Sequence, residues 1–410
     1  MIIYIWFGFA YGMLLQWGRF CMASAFRDLF AIGVTRMFVG IMLAMGIFSI
    51  LMSILSTKGM STFHPGPIGV HEVIGGAVFG VGMVFAGGCA SGTLYKCGEG
   101  NGTSMVALMA ISFSQAIFVD VGGFFDKFLK GYVFKQPMIV LADYFPGLST
   151  SKYFVANTLL HTIIPVAVLL VVVYVVVARK GIMKKQAKQA NTKPSDWRGF
   201  WSMITASKRT SLAGLIIGVL AGLHILAINA LRVKYGIHNF GQILTDLGFA
   251  ADVSTRGQVF DPGYWYITSQ EAQFGAWVME KLGINMTDNI FFGVVNGIPA
   301  LWHNPALWMS IGIILGAAAL ALVNNEFKFK KPNKELFVWG LMGGTLMGLG
   351  ARVALGCNIG AFFIRVGGGD PGGWLFAIGM CIGIWGGLAV SNWWTDRQLA
   401  KADVDFDIDI

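Results

Sequence analysis

The chemistry-bearing residues of this chain are its five cysteines, at positions 21, 89, 97, 357 and 381. Two lie in matching glycine-rich settings: GGCASGTLYKCGEGNG from Gly87 to Gly102, and LGCNIGAFFIRVGGGD from Leu355 to Asp370. A third, Cys21, stands in GRFCMASAFRDLF between apolar segments. Near neutral pH a free thiol is mostly uncharged, and its S–H donates a weak hydrogen bond suited to a soft anionic sulphur. A thiolate would repel such an ion. A passage needs sites good enough to admit an anion and weak enough to release it, which favours thiols over a tight arginine clamp. Backbone N–H groups at the start of short helices could hold an oxyanion end.

The candidate binding set is therefore Cys21, Cys89 and Cys357, with Gly88, Gly92, Gly356, Asn358 and Gly360. Arg19, Arg27, Tyr95, Lys96 and Glu99 are polar companions on the exit side. For Arg27 and Lys96, attraction of anions and a purely structural role are both open. Glu99 would repel an anion and is expected to pair with a nearby base. Cys97 is left unassigned, and Cys381, inside an apolar span, is expected to pack in the core.

Other chemistries fit less well. Thiol-disulfide exchange would be served by a C-x-x-C pair, and the chain has none. No histidine stands beside a motif cysteine, so no metal site is expected. The phosphate-binding pattern G-x-x-x-x-G-K-[ST] is missing, which argues against an ATP-driven pump. Neither a cofactor nor an enzymatic activity is expected.

The elements that must position these thiols are membrane helices. Of 410 residues, 55% are hydrophobic and only 12% charged, with mean hydropathy +0.65; a soluble domain is about 25% charged. Nine apolar runs are near bilayer-spanning length, at about 2–17, 34–55, 72–87, 103–121, 156–178, 210–230, 305–324, 336–352 and 373–392. The first lacks a basic n-region and a cleavage site, so it is read as a retained helix. The expected fold is all-α and polytopic, with short re-entrant helices.

Charge sets the orientation. The net +9 needs no nucleic acid to explain it, because basic loops orient membrane helices. The basic segment 179–209, from Arg179 to Arg209, is read as a cytoplasmic linker between a transmembrane half at 1–178 and another at 210–395. Lys328, Lys330, Lys331 and Lys334 fall on the same side by parity. Counting spans places the N-terminus outside, the C-terminus inside, an external loop or interfacial element near 232–289, and a cytoplasmic tail at 396–410 whose acidic ending DVDFDIDI is expected to be disordered. Cys357 then lies toward the outside, Cys21 toward the inside, and Cys89 between them or nearer the inside.

Cys89 and Cys357 are separated by 268 residues (357 − 89), and the same offset carries Gly75 to Gly343, Gly82 to Gly350, Ala86 to Ala354, Gly92 to Gly360 and Gly100 to Gly368. Small residues alone could reflect ordinary helix packing. A cysteine followed by a helix break at both places points instead to a shared ancestry of the two segments. The span count gives them opposite orientations, the plan of transporters whose central sites lie on broken helices.

The stretches GRFCMASAFRD, FAGGCASGTLYKCGEG and GARVALGCNIGAFF together resemble the YeeE/YedE sulphur-transport family. The resemblance is specific at both ends of the chain and weak over the linker and 232–304. It implies a bacterial inner-membrane protein of two pseudo-symmetric inverted halves that takes up thiosulfate along three cysteines, matching Cys21, Cys89 and Cys357. It also implies a small TusA-like sulphur carrier as a cytoplasmic partner. Some stretches are closer to the YedE branch, which makes a selenium compound the alternative substrate.

Overall fold

Within a bilayer a chain must satisfy its own backbone hydrogen bonds, so its apolar runs form helices. The computed structural model describes residues 2–61, 63, 65–187, 195–235, 267–296 and 298–408, which are mostly helical and contain no strand. In chain order the main helices are α1 (Ile2–Gly18), α2 (Met22–Ile32), α3 (Arg36–Thr57), α4 (Val70–Phe85), α5 (Ala90–Gly98), α6 (Gly102–Asp120) and α7 (Phe124–Gly131). They continue as α8 (Tyr153–Ala187), α9 (Asp196–Ile204), α10 (Lys208–Tyr235), α11 (Ile267–Lys281), α12 (Pro305–Val323) and α13 (Lys334–Val353). In α14, wide first turns at Asn358–Ile364 run into Arg365–Gly368, and α15 is Gly372–Ile408.

Eight helices among the described residues are long and apolar enough to cross a membrane. The ninth expected span, α1, has 17 residues, about 25 Å of helix against a hydrocarbon core of about 30 Å. Bulky apolar side chains face outward on many helices, among them Trp6, Ile74, Val176, Leu315 and Trp385. Such a surface requires lipid or a partner to cover it.

The repeat is visible as packing. Gly75 on α4 meets Ala354 and Gly350, while Gly343 on α13 meets Ala86 and Gly82. Adding 268 to one partner of each contact, and subtracting it from the other, turns the first set into the second. Helices α4 and α13 therefore run antiparallel about a pseudo-two-fold axis. Their outer neighbours match too: Gly76 packs on Phe376 and Met380 of α15, and Gly344 on Ala107 and Ala110 of α6. Backbones this close leave no room for a Cβ, and that is why glycines stand at these positions.

Three expectations change. The segment near 232–289 contains the buried helix α11, whose Thr268, Gln270, Glu271 and Gln273 are all enclosed. Polar residues hid it, because they interrupt the apolar signal of a helix that is covered by protein rather than lipid. The acidic ending DVDFDIDI, expected to be disordered, continues α15 as far as Ile408. The linker at 179–209 includes the end of α8 and the helix α9, tied together by Arg179 and Asp196 at 2.8 Å. Lys188, Lys193 and Pro194 of that linker, and the aromatic residues 264–266, lie outside the described residues.

Candidate functional site at the cysteine breaks

Each of the three motif cysteines occupies the residue just before a short helix. Cys21, Cys89 and Cys357 are extended, with φ of −139°, −91° and −92°, and precede α2, α5 and α14. Two residues before each cysteine the backbone turns left-handed: φ is 53° at Arg19, 65° at Gly87 and 55° at Leu355. The same turn thus recurs three times. Glycine adopts it freely, whereas Arg19 and Leu355 accept a strain of about 1–2 kcal/mol each. Strain kept in a packed structure commonly marks a functional position.

These turns bring polar backbone into the protein interior, which is tolerated at membrane depth only where protein or water covers it. All three cysteines are fully buried, at 0–1% exposure. The backbone N–H of Gly92 donates to the Cys89 sulphur at 3.3 Å. At the equivalent break, the N–H groups of Ile359 and Gly360 lie near the Cys357 sulphur, without the cap hydrogen bond seen at Cys89. Helix N-termini offering free N–H groups are favourable places for an anion.

The structure brings Cys21 and Cys89 together, with sulphurs 3.8 Å apart. That is a thiol–thiol hydrogen-bond distance, far from the roughly 2.05 Å of a disulfide. The Ser91 hydroxyl lies 3.4 Å from Cys89, and Gly92 packs directly on Cys21, so a side chain there would collide with that sulphur. Cys357 has no cysteine within hydrogen-bonding distance among the described residues. Its neighbour in that role is Thr268, near the start of α11 and within reach of the sulphur. Both amide atoms of Asn358 are buried and lack a hydrogen-bond partner among the described residues. Gly356 is pressed against Ala361, and Gly88 is buried in ordinary contact with Lys96, Gly92 and Thr93.

The polar companions are mostly engaged with the protein. Lys96 donates to the Gly87 carbonyl, which the break leaves free, and so braces the turn. Arg27 pairs with its neighbour Asp28 at 2.8 Å. Arg19 pairs with Glu326 at 2.8 Å and approaches Glu99 at 3.9 Å, giving Glu99 the basic partner expected for it. Tyr95 is buried beside the Cys21–Cys89 pair. Cys97 is buried on α5 near Glu271, and Cys381 is half-buried at the edge of the core.

Sequence reasoning missed Thr268, Glu271 and Arg352. Arg352 is 1% exposed, donates to Ser269 at 3.4 Å and stacks 4.5 Å over the Phe291 ring. A signal for it existed, since an arginine at the end of an apolar span and five residues before a motif cysteine is a functional candidate by default. Thr268 and Glu271 carried no such signal, because the segment containing them read as a loop.

Comparison with known proteins bears on the whole of this arrangement. A family profile described as sulphur transport matches residues 17–386. The Thiosulfate transporter TsuA of Spirochaeta thermophila is 30% identical over 383 residues, covering 92% of this chain and 95% of the relative. The Escherichia coli protein of the same description is 27% identical over 377 residues, 91% and 90% of the two chains. The Probable transporter YedE of Escherichia coli is 38% identical over 127 residues, 30% of this chain and 31% of the relative.

Proposed function

The chain belongs to the YeeE/YedE sulphur-transport family, and from this premise we propose that it carries thiosulfate, or a closely related reduced sulphur anion, across the bacterial inner membrane. The single observation that carries the path is the recurrence of one break geometry, each time ending in a buried cysteine before a short helix. Thiosulfate has a soft terminal sulphur and an oxyanion end. Neutral S–H groups suit the first, and the N–H groups of the short helices suit the second.

In this reading the ion meets Cys357 from outside, passes to Cys89, and leaves past Cys21. The 3.8 Å separation of Cys21 and Cys89 lets one thiol take over the ion as the other releases it. Arg19 and Arg27, already paired with carboxylates, act on an anion only weakly, and Lys96 holds the turn. A TusA-like carrier receives the sulphur species at the cytoplasmic face. The N-terminus lies outside and the C-terminus inside.

The close thiol pair also suits a disulfide enzyme, and one experiment separates the readings. Purified protein in liposomes is offered labelled thiosulfate, sulfate, sulfite and selenite, with and without reductant. Transport by neutral thiols gives thiosulfate uptake that reductant leaves intact. A disulfide mechanism gives activity that reductant abolishes, and preferential selenite uptake would move the substrate to the selenium alternative.

A further inference from the structure

Near the break at Cys357 lie two buried side chains of opposite charge, Arg352 and Glu271, within electrostatic reach of each other. Position 352 corresponds to Val84 under the 268-residue offset, so Arg352 has an apolar counterpart. Glu271 is 3% exposed, and neither of its carboxylate oxygens has a hydrogen-bond partner among the described residues. Arg352 interacts with it electrostatically, yet its Nε also lacks a partner. A structural ion pair in an apolar interior is stable only when its remaining hydrogen-bonding positions are filled. Here neither group has its positions filled, and Arg352 also lies within electrostatic reach of the Cys357 thiol.

Resting on the transport reading above, we propose that Glu271 and Arg352 form a counter-charge switch that couples uptake of the sulphur anion to a proton. With the site empty, the Glu271 carboxylate balances Arg352. An arriving oxyanion becomes the counter-ion of Arg352, and Glu271 takes one proton from the outer solution. The proton adds to a carboxylate oxygen, so no bond to the anion forms or breaks and no redox partner is needed. Release of the anion inward restores the carboxylate and frees the proton to the same side.

The surroundings of Glu271 support this assignment. The titratable groups facing it are Arg352 on α13, Cys357 before α14 and Cys97 on α5. Helix α12, packed on α11, has no titratable side chain. Helix α6 has only Asp120, at its far end beside Asn289. Cys97 belongs to the same short helix that follows Cys89, so Glu271 acts electrostatically on a residue of each broken segment. Ionisable groups within a membrane protein commonly serve ion pathways and proton relays.

The test uses full-length protein in liposomes, labelled thiosulfate and an internal pH dye. For one coupled proton, an inward gradient of one pH unit raises steady-state accumulation about tenfold, and thiosulfate addition acidifies the lumen. Glu271→Gln, which mimics the protonated carboxyl, is expected to lose the gradient response while still exchanging labelled for unlabelled thiosulfate. Glu271→Asp, still titratable, is expected to keep the response. Wild-type exchange with neither a gradient response nor acidification overturns the coupling alone. Gradient-driven accumulation by Glu271→Gln also overturns it. Lack of any thiosulfate uptake or exchange by the wild type overturns the transport reading and the coupling with it. Should Glu271→Gln insert poorly, wild-type acidification decides the question.

Discussion

The break before Cys89 and the break before Cys357 share a backbone and differ in what surrounds the thiol. Before Cys89, a glycine makes the left-handed turn, a lysine caps the loosened carbonyl, and a second thiol faces the first. Before Cys357, a leucine is held in that turn, and the thiol faces a threonine near an arginine and a glutamate. The helix after Cys357 is also anchored, since Arg365 bonds Asp370 at 2.7 Å and reaches Glu72 and the Pro67 carbonyl. The two breaks thus share one backbone architecture, one of them rich in thiols and the other near buried charge.

The anchor gives the sharpest way to break this contrast. Arg365→Met leaves Glu72 and Asp370 buried without their cation, a loss of about 3–5 kcal/mol. Thermal unfolding in detergent should show a large drop, and an unchanged midpoint would mean that the network does not hold α14 in place.

Oxidation comes next. Only the Cys89 break presents two thiols at contact distance, so a mild thiol oxidant should cross-link Cys21 to Cys89 and stop uptake until reductant is added. The Cys21→Ala protein should not respond to the oxidant. Equal inactivation of that variant would place the sensitive thiol elsewhere.

A smaller effect tests the turns. A methyl at Gly87 meets no atom within 4 Å, so Gly87→Ala costs only the left-handed conformation, about 1 kcal/mol. Leu355→Gly relieves the same strain but loses contact with the apolar cluster around Phe291 and Met286. The expected shift for Leu355→Gly is therefore smaller than that for Gly87→Ala. Equal and opposite shifts would show that the leucine side chain contributes nothing.

The smallest effect lies in the linker, away from both breaks. The Arg179 guanidinium, hydrogen-bonded to Asp196, holds that exposed carboxyl below the usual carboxylate range. Its contribution is present above that range and fades as pH falls through the lowered value. Asp196→Asn should leave uptake unchanged and speed proteolysis of the linker near neutral pH. In strong acid the wild type should become as sensitive as the variant.

The expected spans begin within a few residues of the helices, because lipid-facing helices advertise themselves by continuous apolarity, although α8 and α15 run on well past their expected ends. The repeat was equally legible, since close backbone contact demands glycine at matching positions. Helix α2 falls outside the nine apolar runs because Arg27 and Asp28 interrupt it, and the buried polar residues of α11 hide that helix in the same way. Pairings across the fold left no local trace. Nothing in the sequence places Glu271 near Arg352, or shows that Lys96 is occupied by Gly87.

The most direct test of the cysteine path is thiosulfate uptake by Cys89→Ser in liposomes, at matched protein level and beside Cys381→Ser. A hydroxyl is a harder and smaller partner for a soft sulphur, and loss of about 1.4 kcal/mol at this site would slow uptake about tenfold. Cys381→Ser, at the edge of the core and away from every break, should transport at nearly the wild-type rate. A folded Cys89→Ser protein that takes up thiosulfate as fast as the wild type would contradict the path through the cysteines.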